Sequence, residues 1–260
     1  MSHFITNIDR LLEIAIKAGD IIMGYYDQPI DIKYKEDNSP VTIADIAAND
    51  FIVSELRSIT PELLVVSEED ADYVNLSADK SEYFWLVDPL DGTKSFIQHA
   101  DEFTVNIALI HKNQPIGGII YIPTTQLVYY GYRETPFKQL AFKQERDGKK
   151  EKITSRVIQK ESPIIVTSHS KRDGMVDEFL KTLPSRTMKL AASSMKFCML
   201  AEGSADIYPR FGKTMEWDTA AGHAILNAAG GSVKNLDGSS LSYGKKNFEN
   251  SNFIASGKDK

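Results

Sequence analysis

The chain has one cysteine, Cys198, among 260 residues. That excludes an internal disulfide and any Cys-x-x-Cys metal or redox site, and it fits a reducing compartment. Long apolar runs are missing too. "PIGGIIYI" is strand-sized, well short of the roughly 20 residues a membrane helix needs. The first residues carry no basic stretch followed by an apolar one, so no signal peptide and a cytoplasmic location are expected. Positive charge is in deficit: 30 Lys and Arg stand against 36 Asp and Glu, a formal net charge of −6. A nucleic-acid polymer is therefore a poor partner, although bound cations can invert the local field of an acidic protein toward phosphates. Also absent are a His-x-x-x-His pair, a Gly-x-Ser-x-Gly elbow, internal repeats and low-complexity tracts. "FGKT" (211–214) looks like the end of a P-loop, but its first glycine position holds Ile207.

What is present is an ordinary globular composition, with 42% hydrophobic and 25% charged residues. The length suits one large α/β domain or two lobes that share an interface. The weakest seam is near residues 145–160, which divides the chain into 1–150 and 151–260. Ile8, Leu11, Leu12, Ala15, Gly19 and Ile22 recur at helical spacing behind a cap at Thr6 or Asn7. A second helix is expected over 43–59, with Ile46, Phe51, Ile52 and Leu56 on its apolar face and Pro61 stopping it. "LLVVSEED" and "FWLVD" read as buried strands, followed by a meander of three strands with turns at Asn113 and at Pro123-Thr124. Residues 143–160 are charged and read as an exposed loop or edge. In the second half, strands "PIIVTS" and "ADIYPRF" alternate with helices "SSMKFCMLAEG" and "WDTAAGHAILNAAGG", the last capped by Asp218 and closed by Gly230-Gly231. A layered α/β sandwich follows.

Acidic residues collect at the ends of these elements. Asp45 follows Thr42 by three, the spacing of a capping box. Glu68, Glu69 and Asp70 follow one strand, Asp88 and Asp91 follow another, and Asp218 opens a helix. Each alone has a structural explanation as a cap or a solvated loop. "DPLDGT" (88–93) is harder to explain that way. Pro89 and Gly92 are expected to force a tight turn that aims both carboxylates and the Leu90 carbonyl to one side. An aspartyl-phosphate enzyme would space its aspartates differently and would not need the acidic company of Glu68 and Asp218. Crowded carboxylates repel unless cations separate them, and oxygen-only donors suit hard divalent ions. The pattern points to metal ligation.

"SPVTIAD", "VVSEED", "WLVDPLDGTKSF" and "EWDTAAG" occur in this order across most of the chain. Together they resemble the lithium-sensitive, magnesium-dependent phosphatases related to inositol monophosphatase, and most of all the bacterial 3'(2'),5'-bisphosphate nucleotidases among them. The resemblance implies an αβαβα layered sandwich of the inositol monophosphatase type and two or three Mg²⁺ ions. It implies Glu68, Asp88, the Leu90 carbonyl, Asp91 and Asp218 as metal ligands. Asp45 and Thr93 would take the proton from a metal-activated water. Substrate contacts would come from Glu68, Leu90, Asp91, Gly92, Thr93 and Asp218. Ser193, Ser194 and Lys196, in "SSMKFC", match the nucleotidase pattern around the nucleoside and distal phosphate. Lys94, Lys171 and Arg210 are further candidates for that second phosphate. Where the family commonly has Arg-Ser-His after "PIIVTS", this chain has His169-Ser170-Lys171, so contact with the adenosine portion there is in question.

The expected substrate is the small molecule adenosine 3',5'-bisphosphate, split to AMP and phosphate. An inositol or sugar phosphate monoesterase is the alternative within the family. A catalytically inactive metal- or nucleotide-sensing protein is the alternative outside it. A homodimer and a peripheral place on the inner face of the cell membrane are left open.

Overall fold

The computed structural model describes residues 3–29, 31–35, 37–70, 81–135, 138–146, 148–169, 174–183 and 185–259. A short turn of helix, α1 (His3–Thr6), leads into α2 (Ile8–Tyr26), which buries Leu11, Ile14, Ala15, Ala18, Gly19 and Ile22 along one stripe. A small antiparallel hairpin, β1 (Lys33–Tyr34) and β2 (Pro40–Val41), precedes α3 (Ile43–Ile59). Thr42 and Asp45 close a reciprocal capping box at the start of α3. The buried face of α3 is Ala44, Ala48, Ile52, Val53 and Leu56. Ile46, expected on that face, is 38% exposed, because it sits between the 3.6-residue turns that bring 44, 48 and 52 inward.

Seven strands form the first sheet: β3 (Leu64–Ser67), β4 (Tyr83–Asp91), β5 (Thr104–His111), β6 (Gln114–Ile122), β7 (Leu127–Thr135), β8 (Lys138–Glu145) and β9 (Lys150–Lys152). They neighbour one another in sequence order. Only the first pair is parallel. Of the charged stretch from 143 onward, part belongs to β8 and part to the exposed edge strand β9. Trp85, Val87, Val105, Ile107 and Leu109 face α2 and α3, while Phe84, Leu86, Ala108 and Ile110 face the other way, as a period of two requires.

The second sheet has the order β11-β10-β12-β14-β13, built from β10 (Ile164–Thr167), β11 (Thr187–Leu190), β12 (Ile207–Arg210), β13 (Ser232–Asn235) and β14 (Phe253–Ser256). Between the sheets lie α6 (Met195–Ala201) and α7 (Trp217–Ala228), whose apolar residues share one core with both. On the outer side, Val176 and Leu180 of α5 (Gly174–Lys181) pack with Ile165 and Phe211. The layers are thus α2/α3, seven strands, α6/α7, five strands and α5: the αβαβα sandwich expected. Helix α7 can lie directly on the first sheet because Gly118 and Gly131 are cross-strand partners there. A Cβ on the first would strike the Ala221 carbonyl, and on the second the Ile225 backbone. Among the described residues no helix is long and apolar enough to cross a membrane.

Candidate metal centre and adjoining anion cavity

The strand end at "DPLD" is not the tight turn expected. Strand β4 continues through it to Asp91. Asp88 lies opposite Asn106 and Asp91 opposite Thr104, so three steps on one strand match two on the other. This is a β-bulge. Strict alternation would send Asp88 and Asp91 to opposite faces; the extra residue brings both to the face occupied by α6 and α7. Pro89 suits the interruption, having no N–H to give to a ladder. Leu90 points the other way into the α2/α3 core, and its N–H donates to Asp88 Oδ1 at 3.1 Å. Gly92 follows at φ +99°, and the short helix α4 (Thr93–Ile97) begins.

Because β3 is parallel to β4 and its last pair is Ser67 with Val87, Glu68 emerges beside Asp88, and its N–H donates to the Val87 carbonyl at 3.1 Å. Asp218 arrives from α7. It is not the cap of that helix: Glu216 holds the N-cap position, and Asp218 Oδ2 accepts from the Met215 N–H at 2.9 Å. Oxygens of Glu68, Asp88 and Asp218 all lie within 4.8 Å of one another. Burial pushes each of these carboxyls up, and their neighbours' negative charge adds to it. Asp88 and Asp218 stand well above the usual range. Three oxygen donors, of which, among the described residues, only Glu68 has an ammonium beside it, fit a hard divalent cation.

Asp91 is held differently. Its Oδ2 accepts from the Ser194 N–H at 2.7 Å, the Ser194 hydroxyl at 2.9 Å and Asn106 Nδ2 at 3.3 Å. Burial raises the Asp91 carboxyl, and Lys196 opposes that. Ser194 was expected to donate to a phosphate. In the structure it is buried and engaged by Asp91 and by the Asp218 carbonyl, 2.8 Å from its hydroxyl.

Asp45 and Thr93 meet although 48 residues separate them: Thr93 Oγ1 donates to Asp45 Oδ1 at 2.9 Å. The other oxygen, Oδ2, accepts from Thr42 N and Oγ1 at 2.8 and 2.6 Å. The capping function and the contact with Thr93 therefore use different oxygens of one carboxylate. Burial raises the Asp45 carboxyl against the pull of these hydrogen bonds. Thr93 Oγ1 also lies 3.3 Å from the Leu90 carbonyl.

Asp91 and Asp218 line a cavity of about 210 Å³ together with Ser193, Lys196, Tyr208 and Arg210. Lys196 is 4% exposed, and its ammonium donates to the carbonyls of Ser193 at 2.6 Å and Ala191 at 3.3 Å. Burial lowers the ammonium to about 8, with Asp91 holding it up in part. Ser193 sits at φ +44°, and among the described residues its buried hydroxyl has no hydrogen-bond partner; neither has Arg210 Nε. Lys94 is exposed and does not line the cavity. Ser170 and Lys171 lie outside the described residues. His169 Nε2 is 2.9 Å from Glu102 Oε2, which also accepts the Ala192 N–H.

One residue escaped the sequence reading. Lys35, on the β1–β2 hairpin, reaches Glu68 Oε1 at 2.9 Å and Glu69 Oε1 at 2.8 Å. Burial works to lower its ammonium, but the two glutamates outweigh it and the net shift is upward. Glu69 is itself pushed up to about 7, burial outweighing the ammonium. A lone lysine 33 residues before its partner has no spacing signal to announce it.

With this geometry in hand, known proteins bear on the chain. The inositol monophosphatase family matches residues 5–259. The 3'(2'),5'-bisphosphate nucleotidase CysQ of Escherichia coli K12 is 43% identical over 252 residues, covering 96% of this chain and 99% of that protein. The CysQ of Buchnera aphidicola is 42% identical over 254 residues, covering 96% and 93%. Among solved structures, CysQ from Bacteroides thetaiotaomicron, described as a bacterial member of that family, superposes with a TM-score of 0.82 at 34% identity over 98% of each chain. An inositol monophosphatase from Thermotoga maritima shares the fold at 22% identity, with a TM-score of 0.78, over 96% of this chain and 92% of its own.

Proposed function

This chain belongs to the inositol monophosphatase family, and on that premise we propose that it is a Mg²⁺-dependent 3'(2'),5'-bisphosphate nucleotidase that converts adenosine 3',5'-bisphosphate to AMP and phosphate. The observation that carries this reading is one cavity with two means of holding an anion. Asp91 and Asp218 line it, and so do Arg210 and the buried Lys196. A monophosphate ester needs only the first; a bisphosphate uses both.

In this proposal Glu68, Asp88, the Leu90 carbonyl, Asp91 and Asp218 hold two or three Mg²⁺ ions. Bound Mg²⁺ supplies charge neutralisation for the phosphate and a lowered pKa for water. The chain's own residues do the rest. Thr93 Oγ1, its proton directed to Asp45 Oδ1, offers a lone pair to the nucleophilic water, and the Asp45 carboxylate is the final proton acceptor. Water attacks phosphorus, the P–O3' bond breaks, and the ribose oxygen leaves and takes a proton from solvent, while Asp45 releases the proton it received back to solvent. Gly92 holds φ +99° against the Glu102–Phe103 backbone, where a Cβ would come within 3.0 Å of the Glu102 carbonyl, and so lets the chain turn directly into Thr93. Lys196, having two protons on backbone carbonyls, keeps its third for the distal phosphate, and Ser193 has a free hydroxyl to add. Ser194 acts through Asp91. The division into lobes 1–150 and 151–260 also stays a proposal: the sheets span 64–152 and 164–256, yet α7 of the second half packs on β5, β6 and β7 of the first.

An inactive sensor would have no use for the Asp45–Thr93 contact. An inositol or sugar phosphate monoesterase would have little use for a buried ammonium facing the acidic centre. The test is phosphate release from adenosine 3',5'-bisphosphate, inositol 1-phosphate and fructose 1,6-bisphosphate, each with and without Mg²⁺. The nucleotide should be preferred and Mg²⁺ required. Preference for inositol 1-phosphate moves the assignment to the monoesterase, and no release from any of the three favours the sensor.

A further inference from the structure

Glu216 caps α7 without capping it: its side chain makes no hydrogen bond to the helix's own first turn. The carboxylate turns outward, is fully buried, and accepts from the N–H of Gly244 at 2.6 Å, the N–H of Lys245 at 2.9 Å and Lys245 Nζ at 2.8 Å. A buried carboxylate is tolerated only when its oxygens are satisfied in this way. The same segment returns the contact. Phe248 offers its carbonyl to the Glu216 N–H at 2.8 Å. Asn250 donates through Nδ2 to the Met215 carbonyl at 2.7 Å and Thr219 Oγ1 at 3.0 Å, and through its backbone to the Thr214 carbonyl at 2.9 Å. Lys245 Nζ also reaches the Ser242 carbonyl, and Asn250 Oδ1 at 3.2 Å. Residues 244–250 therefore grip 214–219 on both sides of Asp218, including Met215, whose N–H fixes Asp218 Oδ2.

We infer that Glu216, tied to Gly244 and Lys245, is a positioning residue that sets the orientation of Asp218 and through it the affinity of the acidic centre for Mg²⁺. The inference rests on the reading of Asp218 as a metal ligand. The physical reason is that a ligand carboxylate binds well only if its rotamer and backbone are held before the cation arrives, and outer partners do that holding. Thr219 and Ala220 N–H groups both bond the Glu216 carbonyl, at 3.2 and 2.9 Å, so a shift of Glu216 moves the whole first turn that carries Asp218.

The experiment is calorimetric titration of Mg²⁺ into the metal-free full chain, with melting temperature measured alongside, for wild type, Glu216→Gln, Lys245→Met, Asp218→Asn and Arg156→Met. Arg156→Met is a stability control. It breaks an equally buried pair, Arg156 with Asp206, that has no bond to the 214–219 segment. We expect the Mg²⁺ dissociation constant to rise by about tenfold for Lys245→Met and up to about a hundredfold for Glu216→Gln. In steady-state assays the activation constant for Mg²⁺ should rise with it, while kcat at saturating Mg²⁺ stays near wild type. Arg156→Met should lower the melting temperature and leave the dissociation constant alone. If Glu216→Gln does not fold, Lys245→Met decides, since it removes the ammonium contacts of a half-exposed side chain and leaves the Gly244 and Lys245 N–H bonds to Glu216 in place. Wild-type Mg²⁺ binding in the Glu216 and Lys245 variants, with Asp218→Asn impaired, overturns the clasp alone. Wild-type binding in Asp218→Asn overturns the ligand reading and the clasp with it.

Discussion

Replacing Lys196 with Met tests the two-anion reading most directly. The ammonium is buried, bonds two backbone carbonyls and faces the cavity shared with Asp91 and Asp218. A hydrogen bond to a charged group contributes about 1.5–3 kcal/mol, and about 1.4 kcal/mol is tenfold. The specificity constant for adenosine 3',5'-bisphosphate should therefore fall roughly ten- to hundredfold, while that for adenosine 3'-monophosphate hardly changes. Methionine keeps the stem beside the Tyr208 ring, over which the ammonium lies 5.3 Å from the centroid. It leaves the Ser193 and Ala191 carbonyls without this donor, at about 1–3 kcal/mol each, but it also relieves a buried charge, so melting temperature is recorded with the kinetics. The pH dependence adds a second readout. Burial lowers the free-enzyme ammonium to about 8. It is charged below that pH and neutral above it. The wild-type preference for the bisphosphate in kcat/KM should be full below pH 8 and decline as pH rises through it, and the methionine variant should show no such decline. Assays of both substrates from pH 6.5 to 9.5 measure this. Equal losses on the two substrates in a folded variant, or an unchanged pH limb, would refute the assignment of Lys196 to the distal phosphate.

Thr93→Val removes the hydroxyl on Asp45 at constant shape; turnover should drop by about 10²–10⁴-fold while calorimetric Mg²⁺ binding persists, and loss of binding instead would make Thr93 a structural residue. Asp91→Asn should abolish Mg²⁺-dependent turnover with an unchanged circular dichroism spectrum, because an amide cannot supply the ligand charge; near-normal turnover removes Asp91 from the metal set. The metal-free protein should lose stability as pH rises above the ordinary carboxylate range toward neutrality. Glu68, Asp88, Asp91 and Asp218 all have raised folded pKa values, and Glu69 reaches about 7, so the folded state holds more protons than the unfolded one across that window. Thermal melts from pH 4.5 to 8 should show this decline in EDTA and a much flatter profile in Mg²⁺; a metal-free melting temperature that rises over the same range contradicts it. Direct attack by water leaves no aspartyl-phosphate, so rapid quenching with labelled substrate should trap none.

Much of this was legible in the chain itself. The residue types at the element ends specify oxygen-donor chemistry, since Asp88, Asp91, Glu68 and Asp218 have no neighbouring histidine or cysteine to suggest another metal. The Thr42–Asp45 capping box and the span of α3 are local matters of spacing and propensity. Other features are set by contacts between distant segments, which local periodicity does not encode. The face on which Asp91 emerges depends on a bulge defined only by pairing with Asn106 and Thr104. The grouping of Asp218 with Glu68 and Asp88 depends on α7 settling onto Gly118 and Gly131, about a hundred residues earlier. Ser194 reads as a phosphate donor in its own helix but is taken up by Asp91 once β4 lies beside it, and Asp218 reads as a cap until Glu216 is drawn to Lys245. Lys35 reads as a surface charge until the hairpin sets it on Glu68. The sequence by itself determined which chemistry the protein carries and the type of most helices and strands. Only the tertiary structure decided which carboxylates come together, which donors are already occupied and which cavity the buried ammonium lines, because those depend on long-range packing and on desolvation that exists only once the layers have closed.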